Sequence, residues 1–166
     1  MATEITGNED VLDSRDIIER LDELQNELDA LEAEEITAQE ALDDWIEPEE
    51  LDRLDDFKHQ KLTEALAIAQ LKITEWQEEY CEEYTALKAL DDDGSSYAPD
   101  WSYGEQLIAN DYFETYAREL ASDIGAINPD LGWPLNHIDW DAAADDLKLG
   151  YSSSNFLGTT YFYRTG

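Results

Sequence analysis

Between Ser14 and Leu90 the apolar residues recur in alternating steps of three and four. Ile17, Leu21, Leu24, Leu28 and Leu31 form one run; Leu62, Leu66, Ala69, Ile73, Trp76 and Tyr80 form a second, extended by Leu87 and Leu90. That heptad rhythm constrains the chain to helices that lay a narrow apolar seam against a partner. Asp13 and Ser14 are placed to cap the first helix, which the pattern predicts over residues 14–34. Thr37-Ala38-Gln39-Glu40 has the form of a capping box for a short helix ending near Trp45. Pro48 suits the first turn of the next helix, because its missing N–H would have no partner there. No Gly or Pro interrupts residues 49–90, so that helix is predicted over 48–90. At 1.5 Å per residue it would be about 60 Å long. An antiparallel hairpin within one chain and a helical dimer satisfy the two seams equally well.

After Leu90 the chain changes character. Residues 1–90 carry 28 acids, 7 bases and 5 aromatics; residues 91–166 carry 14 acids, 3 bases and 13 aromatics. The change falls on Asp91-Asp92-Asp93-Gly94-Ser95-Ser96, which reads as a turn-rich acidic linker. Beyond it, Asn110 or Asp111 can cap a helix bearing Tyr112, Phe113, Tyr116, Leu120 and Ile124, with Gly125 as its stop. Residues 128–134 read as a loop. Asp139 can cap a helix over Trp140–Leu149 that Gly150 ends, and Trp140 is expected to anchor the core. The tail, Tyr151 to Arg164, reads as a two-stranded hairpin turning at Leu157-Gly158. The predicted fold class is mainly α: a long-helix hairpin or coiled coil over 1–90, then a small aromatic-rich α+β region over 91–166.

The chain holds 42 Asp and Glu against 10 Lys and Arg, a net charge of -32. With 42% hydrophobic residues it has the material for a core, unlike a disordered acidic tail. A charge of that sign repels phosphate, so direct binding to nucleic acid or to an anionic membrane is not expected; basic protein surfaces are the partners it attracts. No stretch approaches the ~20 apolar residues of a membrane helix, and residues 1–10 lack a secretory pattern. A soluble, cytoplasmic protein is expected. Adaptation to high salt would also produce acidity, but such proteins deplete isoleucine, which occurs here 11 times.

Sites of chemistry are sparse. His59 and His137 stand apart from each other and from the single cysteine, Cys81, so no metal ligand set is read. Phosphate loops and nucleophile motifs are absent. Asp91-Asp92-Asp93-Gly94 departs from a calcium loop, because the glycine falls too early and no glutamate stands at the twelfth position. No enzyme, catalytic residue or cofactor is expected. The acidic runs carry the functional reading instead. Asp43, Asp44, Glu47, Glu49, Glu50, Asp52, Asp55 and Asp56 form one cluster; Glu75, Glu78, Glu79, Glu82 and Glu83 form another. Ordinary helix surfaces mix signs in i,i+4 pairs, and like charges at that spacing cost a few tenths of a kcal/mol each. A chain that tolerates so many is expected to use the field.

Three elements near the C-terminus carry a resemblance. They are Asp111-Tyr112-Phe113-Glu114-Thr115-Tyr116-Ala117-Arg118-Glu119-Leu120, Ile138-Asp139-Trp140-Asp141-Ala142-Ala143-Ala144-Asp145-Asp146-Leu147, and Phe156-Leu157-Gly158-Thr159-Thr160-Tyr161-Phe162-Tyr163-Arg164. Together, over about residues 100–166, they resemble the C-terminal end of ArdA-type antirestriction proteins and related small acidic proteins of phages and mobile elements. The resemblance implies an acidic protein that mimics DNA and blocks a restriction enzyme, with no catalytic residues to carry over; with the charge, the expected function is inhibition of a DNA-binding host defence complex, a restriction enzyme or a CRISPR effector, by DNA mimicry. The two acidic clusters are then the expected contact surface for a basic, DNA-binding host complex, and a homodimer is compatible. A coiled-coil structural or adaptor protein is the alternative.

Overall fold

A computed structural model describes residues 5–45, 53–128, 132–134 and 137–165. The chain is mainly helical, as the heptads predict. In order it forms strand β1 (Val11–Asp13), helices α1 (Ser14–Asp43), α2 (Arg53–Tyr97) and α3 (Trp101–Gly104), strand β2 (Gln106–Ala109), a single 3-10 turn, helices α4 (Phe113–Asp123) and α5 (Trp140–Lys148), and strands β3 (Tyr151–Phe156) and β4 (Thr159–Arg164). Two compact units result. One comprises residues 1–21 and 85–166, the other Asp22–Tyr84. Leu90, where composition shifts, lies inside α2.

The unit of residues 22–84 is an antiparallel helical hairpin. Its direction is fixed by contacts that descend one helix as they climb the other. Tyr84 donates its hydroxyl to Gln25, Lys72 Nζ meets Glu34 at 2.6 Å, Gln70 meets Glu35 at 3.0 Å, and the rings of Trp45 and His59 lie 4.5 Å apart. α1 does not break at Thr37, contrary to the capping-box reading. The Thr37 hydroxyl donates back to the Ala33 carbonyl at 2.8 Å instead of capping a new helix. Alanines at 33, 38 and 41, the best helix formers, carry the helix through. Pro48 and the connection at 46–52 lie outside the described residues.

The other unit is built around a four-stranded antiparallel sheet, order β1-β2-β4-β3, rather than the two-stranded hairpin read from the tail. The β3–β4 hairpin turns where expected: Leu157 (φ 47°) and Gly158 (φ 91°) both adopt the positive φ that a tight two-residue turn requires. β2 and β1 extend the sheet, pairing Ile108 with Phe162 and Leu107 with Leu12. These two strands, three and four residues long, are too short to show an alternating pattern in sequence.

Both faces of the sheet are covered, which explains aromatic residues at successive positions of β4. On one face Ile108 and Phe162 join Phe113 and Ala117 of α4 and Ala144 of α5. On the other, Tyr161 and Tyr163 are buried, and Tyr163 meets the edge of the Trp101 ring at 5.8 Å. Asp91–Ser96 is not a linker but the end of α2, docked by Trp101. The indole lies over Gly94 so closely that a Cβ there would stand 2.2 Å from the ring, and its Nε1 donates to Asp91 Oδ1 at 2.6 Å. Asp93 accepts a hydrogen bond from Ser154 of β3 at 2.9 Å. The glycine that reads as a turn signal is a packing requirement.

Ser14 opens α1, is fully buried, and ties three segments together. Its hydroxyl donates to the Trp101 carbonyl at 2.5 Å and accepts from the Glu105 N–H at 2.7 Å, while its own N–H donates to the Glu105 carbonyl at 2.9 Å. Asp13 accepts from the Arg15 N–H at 2.9 Å. Asp139 caps α5 through the Ala142 N–H at 3.1 Å, as its position implies. No side chain caps α4, because Asn110 and Asp111 enter the 3-10 turn ahead of it.

Trp140 is not the core anchor expected of it. It is only partly buried, with the Arg118 guanidinium 5.3 Å from its ring centre. Phe113 holds that place, fully buried among Tyr116, Tyr151 and Phe162. Phe113→Ala should therefore cost about 3–5 kcal/mol, and Trp140→Ala less than about 2 kcal/mol for its partial burial. Urea denaturation of the two variants checks the order, and the reverse order would contradict this packing.

Burial, with the nearby Glu9 and Asp10 carboxylates, pushes the Tyr161 phenol up to about 12, and burial likewise raises Tyr163. Their neutral forms are favoured in the fold, so this contribution to stability is complete below the ordinary phenol value of about 10 and is lost as pH climbs from there through 12. Alkaline unfolding followed by tyrosinate absorbance and circular dichroism should fall in that window. Normal titration of every tyrosine with the fold intact would contradict it.

Candidate partner-binding surface

Within the helical hairpin, 22 acids face 4 bases. The physical reason is visible in the helix geometry. The seam uses one narrow arc of each helix, leaving the remaining positions free to carry charge. Glu75, Glu78, Glu79 and Glu82 recur at i, i+3, i+4 and i+7, so they share one face of α2, and all four are exposed. Glu83 sits nearer the seam and is half-buried.

The first cluster is only partly described. Asp43, Asp44 and Asp56 are exposed and Asp55 is half-buried, with Asp43 accepting from Gln39 Nε2 at 2.7 Å. Glu47, Glu49, Glu50 and Asp52 lie outside the described residues. The two clusters do not meet. The antiparallel register puts Asp43, Asp44, Asp55 and Asp56 at one end of the hairpin and residues 75–83 at the opposite end of the unit.

The hairpin adds acids that reading by runs overlooks. Because Gln25 lies beside Tyr84 and Glu34 beside Lys72, the cluster at 75–83 runs alongside the α1 stretch from Asp22 to Glu32. Asp22, Glu27, Asp29 and Glu32 are exposed there. They are scattered among Leu24, Leu28 and Leu31, so no acidic run marks them. Aligning the two heptad runs antiparallel is the signal that finds them.

The charge density can be stated. Residues 22–43 and 64–84, paired side by side, hold 15 acids and 1 base. At 1.5 Å per residue the pair is about 32 Å long, about 2.3 Å of axis per net negative charge. Duplex DNA carries one per ~1.7 Å.

Other candidates for chemistry resolve into structure. His59 lies against Trp45 with the two rings tilted 45° to each other, and His137 and Cys81 are exposed. Among the described residues no group of three or more His, Cys, Asp or Glu is placed to hold a metal ion, and no helix is long and apolar enough to cross a membrane. In the closing aromatic strand, Tyr161, Phe162 and Tyr163 are core residues. Arg164 donates to the hydroxyls of Tyr151 (3.2 Å) and Tyr116 (3.3 Å), contacts that raise its own pKa. Tyr161 to Arg164, the part of the resemblance nearest the C-terminus, therefore build the fold of that unit. Comparison of the chain with protein-family models, with curated proteins and with solved structures gives no match.

Proposed function

We propose that the chain inhibits a DNA-binding complex, such as a restriction enzyme or CRISPR effector, by offering its basic groove a DNA-like acidic surface. The observation that carries this reading is the charge density of the hairpin, one net negative charge per about 2.3 Å on paired helices whose geometry is fixed by their own hydrogen bonds. Lys and Arg side chains that evolved to neutralise phosphates would find carboxylates at similar spacing. Occupancy alone would then block DNA, with no bond made or broken. The resemblance at residues 100–166 to ArdA-type proteins agrees with this role and with an origin in a phage or mobile element. Within this reading the surface comprises Asp43, Asp44, Asp55, Asp56, Glu75, Glu78, Glu79, Glu82 and Glu83, with Glu47, Glu49, Glu50 and Asp52, joined by the α1 acids Asp22, Glu27, Asp29 and Glu32.

The adaptor reading has its own support in apolar residues left uncovered on the hairpin, Phe57, Ile68 and Leu71 among them, each at least half exposed. It explains assembly but leaves the charge without a use.

Competition binding decides the proposal. A purified restriction or CRISPR effector complex is titrated with the chain in the presence of labelled duplex DNA, at low and at moderate salt. The chain should displace DNA, and its affinity should fall on the order of 10³-fold between 50 and 200 mM salt if about six basic groups are engaged. Simultaneous binding of DNA and the chain, or an affinity indifferent to salt, would overturn it.

A further inference from the structure

In a chain with 42 acids and 10 bases, a cation is expected to meet a carboxylate. Arg15, Lys61, Lys72, Arg118 and Lys148 do so, each 2.6 to 3.7 Å from one. Arg164 differs from all five. Its guanidinium donates through Nε to the Tyr151 hydroxyl at 3.2 Å and through Nη2 to the Tyr116 hydroxyl at 3.3 Å. It forms no ion pair with any carboxylate among the described residues. Glu105 reaches only its backbone, where Oε1 accepts from the Arg164 N–H at 3.2 Å.

The fold sets the two phenols in place beneath this guanidinium. Tyr151 opens β3 and is the register partner of Arg164 on β4, and Tyr116 belongs to α4. Both rings meet the fully buried Phe113 edge to face, at 5.2 and 5.5 Å. Burial raises the Tyr151 phenol above its ordinary value of about 10, in spite of the hydrogen bond from Arg164. At neutral pH it is therefore an uncharged hydroxyl and does not offset the positive charge above it.

The protons can be counted. A guanidinium has five N–H donors and each phenol one O–H. Two N–H groups go to the phenol oxygens. These oxygens lie 3.0 Å apart, so one hydroxyl donates to the other. Three N–H groups and one O–H remain, with no acceptor among the described residues, and Arg164 is exposed. The cluster has donors to spare and a whole charge unanswered. Its open edge, between Nη1 and Nη2, is one that binds an oxyanion through two parallel hydrogen bonds.

We infer that Arg164, floored by Tyr116 and Tyr151, is a receptor for one carboxylate, held across the Nη1–Nη2 edge of the guanidinium. Charge selects the ligand class among oxyanions. The unit of residues 1–21 and 85–166 carries 20 acids and 6 bases, so it repels a doubly charged phosphate about twice as strongly as a carboxylate. The site goes beyond the DNA-like surface and is independent of it, because its sign is opposite. The carboxylate is that of a free acid or of an Asp or Glu side chain.

Nuclear magnetic resonance of the full chain reads the Arg164 Nε–H directly. Sodium acetate, compared with sodium chloride at equal ionic strength, should shift that signal and the Tyr116 and Tyr151 ring signals, with half-saturation on the order of 10–100 mM. Chloride should not, and inorganic phosphate should need a higher concentration than acetate. The blocked peptide acetyl-Gly-Asp-Gly-amide carries its only carboxylate on a side chain. Whichever of it and acetate saturates first identifies the source. Arg164→Lys keeps the charge without the fork, and should bind acetate about tenfold more weakly by the ring signals. Arg164→Gln should not bind it. Tyr151→Phe keeps the ring on Phe113 and removes the hydroxyl, and should weaken binding severalfold while far-ultraviolet circular dichroism is unchanged. A shift that chloride reproduces, a shift that never saturates, tighter binding of phosphate than of acetate, or acetate binding unchanged in Arg164→Gln would each overturn the inference.

Discussion

Two helices of the same sign are held side by side by a seam a few side chains wide. Leu24, Leu28 and Leu31 on α1 and Ala69, Ile73 and Trp76 on α2 are the residues through which the hairpin exists, in a unit where acids outnumber bases 22 to 4. Burial of a leucine-sized side chain is worth about 1.5–3 kcal/mol, whereas each like-charge neighbour on a helix costs a few tenths. A handful of buried residues can therefore offset many repulsions, provided that the charges stay in water. They do. The seam occupies one arc of each helix, and Glu75, Glu78, Glu79 and Glu82 occupy another. Cross-helix contacts such as Lys72 with Glu34 add little, since exposed pairs are worth at most about 1 kcal/mol.

The unit of residues 1–21 and 85–166 solves a different problem, that of a small sheet with apolar residues on both sides. It does so by enclosing the sheet between α4 and α5 on one face and Trp101 with the end of α2 on the other. Polar contacts tie its segments together: Ser14 to the Trp101 carbonyl and the Glu105 N–H, Asp91 to the Trp101 indole, Asp93 to Ser154. Those contacts explain how an acidic chain keeps Asp91 and Asp93 beside a core. Each gains a donor there; Asp91 is half-buried, and Asp93 stays exposed to water.

Periodicity made the two long helices legible, because an apolar step of three and four has no other economical fold. The caps and stops at Asp139, Gly125 and the Leu157-Gly158 turn were equally local, and the structure keeps them. What sequence could not give was whatever depends on a distant neighbour. Gly94 reads as a turn residue until Trp101 is seen lying over it. Thr37 reads as a cap until its hydroxyl is seen to bond backward to Ala33. β1 and β2 are strands only because β4 offers them an edge. Trp140 reads as a core anchor by its size until the fold leaves it only partly buried beside Arg118. At the candidate surface the run of glutamates at 75–83 was plain, but its neighbours Asp22, Glu27, Asp29 and Glu32 become part of the same surface only through the antiparallel register.

The central claim is that distributed negative charge, and no single residue, makes the functional contact. It is tested most directly by inhibition of DNA cleavage by a restriction or CRISPR nuclease, using chains in which the acids at 43–56 and at 75–83 are changed to Asn and Gln, separately and together. Far-ultraviolet circular dichroism establishes that each chain remains helical, as relief of like-charge repulsion leads one to expect. Each set alone should weaken inhibition partially and the combination should nearly abolish it. Full inhibition by the folded, doubly neutralised chain would contradict the account.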